Sequence, residues 1–313
     1  MNNMIWLIRR EIWENRSLWI TPLVIAGVIL VIAAFGGIHV GDGGNFSMGW
    51  NSESGIDISE QDRRNIGEAM ATAPLDKKQT IYAITLATFT AVQLFSMVLV
   101  IFFYLLDSLL AERKDRSILF WKSLPVSDSE VVLSKLVTAA LVLPLFVLVV
   151  SSVLQVLFAL VWSVRFSGTM LGDALMAWDA EVWLKLQASF ILFISTSILW
   201  YLPLLAYLML VSVWARRNAF LWAILPPLAI LSIEVMILGS NHFGHFLARR
   251  LIGVFVLVEE SIGSVHGSGV VNLGEVFAGV SGVLTSYETW LGVLAAVAML
   301  LVTIRIRRYR DDS

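Results

Sequence analysis

The run Gln79–Leu106, QTIYAITLATFTAVQLFSMVLVIFFYLL, contains no Asp, Glu, Lys or Arg, and it decides the class of this fold. A bilayer core requires about 20 apolar residues in a helix, because each backbone polar group must be satisfied within the segment. The whole chain of 313 residues is 58% hydrophobic and only 15% charged, whereas soluble domains carry about 25% charged residues. The run is therefore predicted to be a membrane-spanning helix.

Five further apolar runs predict an all-α integral membrane protein that forms a single transmembrane domain, residues 1–313. The six predicted spans are approximately residues 18–40, 82–106, 136–162, 187–213, 219–240 and 287–305. The last run without charge is short, but it reaches about 20 residues if its flanking charged side chains extend toward water.

The placement of Lys and Arg predicts that both termini are cytoplasmic. With that orientation, the inner segments hold 14 Lys and Arg in 59 residues, and the outer segments hold 8 in 109. Cytoplasmic loops of membrane proteins carry such an excess. The chain is therefore predicted to be a multi-pass protein of the plasma (inner) membrane, with membrane lipid around it and no nucleic-acid partner.

The regions outside the spans have distinct patterns. Residues 1–17 separate apolar and charged positions at helical spacing, which favours an interfacial helix; a charged flank of the first span is the alternative. Residues 41–80 are predicted to be an outer loop. Residues 241–286 contain an apolar centre too short to span, which predicts short surface or re-entrant helices on the outer side.

Several classes of enzyme chemistry have no signature in the chain. There is no Cys, no GxxxxGK[ST] phosphate-binding loop and no HExxH motif. His242 and His245 have no nearby carboxylate, so an interfacial polar cluster is favoured over a metal site. The chain is predicted to be neither an ATPase nor a metalloenzyme.

Three polar residues lie inside predicted spans and form a candidate intramembrane polar site: Glu234, Gln93 and Gln155. An intramembrane carboxylate is costly, so Glu234 is expected to face the bundle interior. It could serve a proton-coupled step, contact a cationic substrate, or form a structural hydrogen bond to Gln93, Gln155 or a hydroxyl. The glutamines are typical of interhelical hydrogen bonds.

The segment between the second and third spans, 107–130, surrounds an apolar cluster with charge. Residues Ala111–Glu130 read AERKDRSILFWKSLPVSDSE. Helix is predicted over Asp107–Ser123, where Glu112 and Arg116 at i,i+4 favour an exposed helix. Pro125 ends it, and Ser127 with Glu130 forms a capping box that begins the next helix. The exposed tip, a typical docking surface, consists of Ile118, Leu119, Phe120, Trp121 and Leu124.

This segment resembles the cytoplasmic loop of ABC-2-type transporter permeases, in which an acid–base pair precedes an slPvs turn and a lysine follows near the next span. The six spans, the amphipathic N-terminal segment and the short helices before the last span are also similar to that family over nearly the whole chain. The matching loop positions are Glu112, Arg113, Leu124, Pro125, Val126, Ser127 and Lys135.

The resemblance implies a permease subunit that pairs with a second copy, expected as a homodimer, and with two copies of a separate ABC ATPase subunit. ATP and Mg²⁺ would bind to those partners, and this chain would bind no cofactor. The loop would act as a coupling helix that fits a groove of the ATPase. The ATPase-coupling residues would be Glu112, Arg113, Arg116, Ile118, Leu119, Phe120, Trp121, Leu124, Pro125 and Ser127.

The function expected from these observations is that of an exporter of an amphipathic substrate: a lipid, a peptide or an antibiotic. A non-transporting membrane sensor or assembly protein that recruits a cytoplasmic partner is the alternative. A proton-coupled carrier that uses Glu234 is the third hypothesis.

Overall fold

Among the residues that the structure describes, six helices are long and apolar enough to cross a membrane, which confirms the number of predicted spans. The structure is a computed structural model that describes residues 2–35, 37–40, 46–49, 75–115, 126–165, 180–253 and 273–309. The six helices are Ser17–Phe35, Tyr82–Lys114, Asp128–Arg165, Ala180–Trp214, Ala219–Leu238 and Tyr287–Tyr309.

The elements follow one another along the chain with short connections at several points. In chain order they are α1 (Asn2–Glu14), α2 (Ser17–Phe35), β1 (Gly37–Val40), β2 (Phe46–Gly49), α3 (Leu75–Lys114), α4 (Asp128–Val137), α5 (Leu143–Arg165), α6 (Ala180–Trp214), α7 (Ala219–Ile233), α8 (242–253), α9 (Leu273–Thr285) and α10 (Tyr287–Tyr309). Single π-helical turns, Thr138–Val142 and Glu234–Leu238, follow α4 and α7.

The end of the first span differs from the predicted range 18–40. Helix α2 stops at Phe35, and residues Gly37–Val40 form a strand antiparallel to Phe46–Gly49. Glycine weakens a helix, and the β-branched Ile38 and Val40 favour extended backbone. The predicted end of the first span at residue 40 is therefore wrong by about five residues, whereas the all-α class of the fold is confirmed.

Helix α6 lies at the centre of the bundle, where it packs against α3, α9 and α10, while α2 packs against α3 and α5. The core includes the fully buried side chains of Leu86, Leu105, Val147 and Met209. The outer faces of the spans remain apolar and exposed, as expected for contact with lipid.

A π-helical turn joins α4 to α5 within one continuous span. The backbone N–H of Leu143 donates to the carbonyl of Thr138, five residues before it. Pro144 has no N–H to donate to Ala140, so the regular pattern cannot continue there. The helix direction is kept, but its side chains change face after the turn.

Candidate functional site: a buried charge cluster at one end of the bundle

Helix α1 presents a buried polar face to the bundle and an apolar face outward. It packs against α4, and its side chains of Leu7 and Glu11 are only 5% and 1% exposed. Trp6 and Trp13 are 73% and 71% exposed. The amphipathic helix predicted for residues 1–17 is thus present, and its inner face carries a carboxylate that needs partners.

Glu11 finds those partners on two other helices. The Nζ of Lys135, on α4, donates to Glu11 Oε1 at 2.8 Å, and the hydroxyl of Tyr104, on α3, donates to Glu11 Oε2 at 2.9 Å. Lys135 is 2% exposed. Because both charged groups are removed from water, each depends on the other for its stability.

Glu112, at the end of α3, is the second buried carboxylate. Its Oε1 lies 3.0 Å from Lys135 Nζ and accepts from Arg10 Nη2 at 3.2 Å, and its Oε2 accepts from Arg307 Nη1 at 2.6 Å. Its side chain is only 6% exposed. The sequence-based expectation of an exposed face at Glu112 is therefore wrong, because tertiary ion pairs outweigh the local i,i+4 pattern.

Arg307, near the end of α10, also contacts a third carboxylate. Its Nε donates to Asp128 Oδ1 at 3.1 Å. We call these six side chains the charge cluster; they are Arg10, Glu11, Glu112, Asp128, Lys135 and Arg307. Three cations face three carboxylates, so the cluster has no net charge. It joins α1, α3, α4 and α10 at one end of the bundle.

Arg113, the neighbour of Glu112, points to a different helix. Its guanidinium donates to the backbone carbonyls of Ser212 and Ala215 at the end of α6. The hydroxyl of Ser212 in turn accepts from the backbone N–H of Leu109 and Leu110. The end of α3 is therefore fastened to α6 on one side and to the charge cluster on the other.

The capping box predicted at the start of α4 is confirmed. The Glu130 N–H donates to Ser127 Oγ at 3.2 Å, and the Ser127 N–H donates to Glu130 Oε2 at 2.9 Å. The predicted tip and its neighbours lie outside the described residues; they are Arg116, Ile118, Leu119, Phe120, Trp121, Leu124 and Pro125.

The three residues of the predicted intramembrane polar site are not brought together. Glu234 is 8% exposed, and it accepts hydrogen bonds from the hydroxyl of Ser240 and from the backbone N–H groups of His242 and Phe243. It therefore caps the start of α8. A hydroxyl partner was among the expectations, but Gln93 and Gln155 are not its partners.

Gln155 joins three helices by itself. Its amide nitrogen donates to Thr90 Oγ1 on α3 at 2.9 Å, and its amide oxygen accepts from Trp183 and Gln187 on α6 at 2.9 and 2.6 Å. Gln93 is also buried, yet neither amide atom has a hydrogen-bond partner among the described residues. The prediction of interhelical hydrogen bonding is thus confirmed for Gln155 and its partner Gln187 but not for Gln93.

The sequence analysis did not predict that Arg10, Glu11, Asp128 and Arg307 take part in a buried ion-pair cluster. A local signal was available in two places. Glu11 follows Leu7 by one helical turn and so shares its buried face, and Lys135 is a lone cation in the apolar stretch that begins the third span. Isolated charges on apolar faces require a partner, but the sequence does not say which one.

Comparison with known proteins adds no assignment. No family model, no curated protein and no solved structure matches this chain.

Proposed function

We propose that this chain is the membrane subunit of an ATP-driven exporter of an amphipathic substrate. It works as a homodimer in the plasma membrane with two copies of a separate ABC ATPase subunit, which bind ATP and Mg²⁺. Both termini and the connection between α3 and α4 lie in the cytoplasm. This connection docks on the ATPase.

The proposal rests on one observation: the residues on both sides of the connection between α3 and α4 form ion pairs in the charge cluster. Glu112 lies just before it, and Asp128 and Lys135 lie just after it, all in the charge cluster. Arg113 adds the link to α6. A displacement of the connection by a motor subunit would therefore move α1, α6 and α10 with it, as rigid-body transitions require.

The distribution of charge supports the same orientation. The segments at the cluster end are the ones rich in Lys and Arg, and cytoplasmic loops have that property. The exposed tip predicted between α3 and α4 would supply apolar contact area, and the charged residues around it would orient the partner.

The alternative function, a proton-coupled carrier that uses Glu234, has less support. Two of the three hydrogen bonds that Glu234 accepts come from backbone N–H groups at the start of α8, as in a helix cap, and the third comes from the Ser240 hydroxyl. A structural role accounts for its burial without a proton-coupled step.

The deciding experiment is purification of the tagged full chain from its native cells in mild detergent. We expect an ATPase subunit to co-purify in equal amount, with ATP hydrolysis that the chain alone lacks. The double variant Phe120→Ala with Trp121→Ala should weaken that association about tenfold or more, since buried aromatic residues dominate interfaces.

The matched control is Phe277→Ala with Trp290→Ala, which removes two exposed aromatic side chains at the other end of the bundle. This control should keep the ATPase. An unchanged yield of ATPase with the tip variant would refute the docking role. Recovery of a partner without ATPase activity would support the sensor or assembly reading instead.

A further inference from the structure

Arg250 is held in an unusual position between three helices. Its guanidinium carbon lies 4.5 Å from the centre of the Trp200 ring on α6. The indole N–H of Trp200 donates to the Arg250 carbonyl at 3.0 Å, and the Tyr201 hydroxyl donates to the Leu251 carbonyl at 2.9 Å. The end of α8 is therefore fixed to α6, with the guanidinium stacked on an indole.

Gly292, on α10, forms the third side of this position. A Cβ atom at Gly292 would lie only 1.6 Å from Nη2 of Arg250. Only glycine leaves room for the guanidinium here, so the backbone of α10 and the ring of Trp200 hold the group on two sides. Such a fixed geometry suits recognition better than a free surface arginine does.

The guanidinium has no hydrogen-bond acceptor among the described residues. The buried or half-buried arginines at the charge-cluster end of the bundle, Arg10, Arg113 and Arg307, each donate to a carboxylate or a carbonyl. The neighbouring Arg249 takes the carboxylate of Glu288 at 2.9 Å, so Glu288 acts on Arg250 only through its charge. The donors of Arg250 are thus left for a ligand.

The depth of Arg250 indicates what kind of ligand fits. Gly292 lies four residues, or about 6 Å, further into α10 than Glu288. At this level of a span-length helix, an arginine that has no acceptor among the described residues is costly, and a bound anion offsets the cost. Exposed apolar side chains lie beside it on the same helices, including Leu291 and Ile252. An acyl chain could lie against them while its head group meets the guanidinium.

We propose that Arg250 binds the phosphate head group of an amphipathic lipid, and that such a lipid is the cargo class of this protein. The assignment of this lipid as the cargo rests on the proposed function. The planar guanidinium binds two phosphate oxygens at once, which a lysine cannot do. Trp200 and Gly292 position it for that contact.

The test measures association of spin-labelled phosphatidic acid with the full-length protein in phosphatidylcholine nanodiscs, against spin-labelled phosphatidylcholine. We expect Arg250→Gln to lower the preference for phosphatidic acid about tenfold. Arg250→Lys should recover only part of it. The matched control combines Arg249→Gln with Glu288→Gln, which removes the adjacent ion pair without releasing a carboxylate to Arg250, and it should stay within about twofold of the unmodified protein.

A second variant keeps the proposal testable if Arg250→Gln does not fold. Gly292→Ala leaves every charge in place but forces the guanidinium away, so it should also lower the preference. Inorganic phosphate at millimolar concentration should not displace the lipid. The proposal is overturned if free phosphate displaces the lipid fully, if Gly292→Ala has no effect, or if the control Arg249→Gln with Glu288→Gln acts as strongly as Arg250→Gln.

The two proposals can fail separately. If the lipid binds through Arg250 but no ATPase co-purifies, the exporter assignment fails and the lipid site stands. If the ATPase co-purifies and lipid preference does not depend on Arg250, only the lipid site fails.

Discussion

Replacing Glu112 by Gln tests whether the charge cluster holds the bundle together. The change keeps the size of the side chain and removes one of three negative charges that face three cations. Glu112 contacts Lys135, Arg307 and Arg10 at 3.0, 2.6 and 3.2 Å. The variant therefore leaves one positive charge without compensation in a buried position, where removal of one partner is strongly destabilising.

The expected loss in the free energy of unfolding is about 3 kcal/mol, at the lower end of the range for broken buried pairs. Each cation keeps a second carboxylate, which limits the loss: Lys135 keeps Glu11, Arg307 keeps Asp128, and Arg10 keeps Glu14. The assay is reversible unfolding of the purified protein in mixed micelles, followed by circular dichroism as denaturing detergent is added.

A control and a double variant make the result specific to the cluster. Glu14→Gln breaks an ion pair whose carboxylate is 54% exposed and should cost less than about 0.5 kcal/mol. Combining Glu112→Gln with Lys135→Met restores equal numbers of charges, so the double variant should lose at least about 1 kcal/mol less than the sum of the single variants. Equal losses for Glu112→Gln and Glu14→Gln, or strict additivity, would refute the reasoning.

Three further variants, one of them with a control, are predicted from hydrogen bonding outside the charge cluster. Gln155→Leu should lower the free energy of unfolding by about 1–2 kcal/mol in the same assay, because it removes four hydrogen bonds that join α3, α5 and α6, including one to the Leu86 carbonyl. Gln93→Leu should be neutral or stabilising, since it removes a buried amide that has no hydrogen-bond partner among the described residues; a loss as large as that of Gln155→Leu would contradict this. Ser127→Ala should cost about 1 kcal/mol through loss of the helix cap, whereas Ser195→Ala, which removes an exposed hydroxyl bonded within its own helix, should be nearly neutral.

Local sequence patterns predicted the features that depend on neighbouring residues. The number of spans followed from the lengths of the apolar runs, and the capping box followed from Ser127 and Glu130 at the required spacing. The burial of Glu234 followed from the cost of a carboxylate within an apolar run. Each of these depends on interactions within about ten residues along the chain.

The pairings of the charge cluster could not be predicted, because they join distant parts of the chain. Glu11 and Lys135 are 124 residues apart, and Arg307 and Glu112 are 195 residues apart. The sequence shows only that each residue is charged and near the end of an apolar run. The packing of α1 against α4, and of α10 beside them, decides which charges meet. The local sequence pattern around Glu112, taken without that packing, predicted a solvent-exposed helix.

The π-helical turn Thr138–Val142 sets the rotational phase of the whole third span. It absorbs one extra residue, so side chains after it are turned by roughly 100° relative to a regular helix. Lys135 before the turn thereby faces α1, and Gln155 after it faces α3 and α6. Deleting a single residue of the turn would leave the hydropathy of the span almost unchanged. It would nevertheless bring Gln155 out of phase with Thr90 and Gln187, so the two ends of the span could no longer both meet their partners.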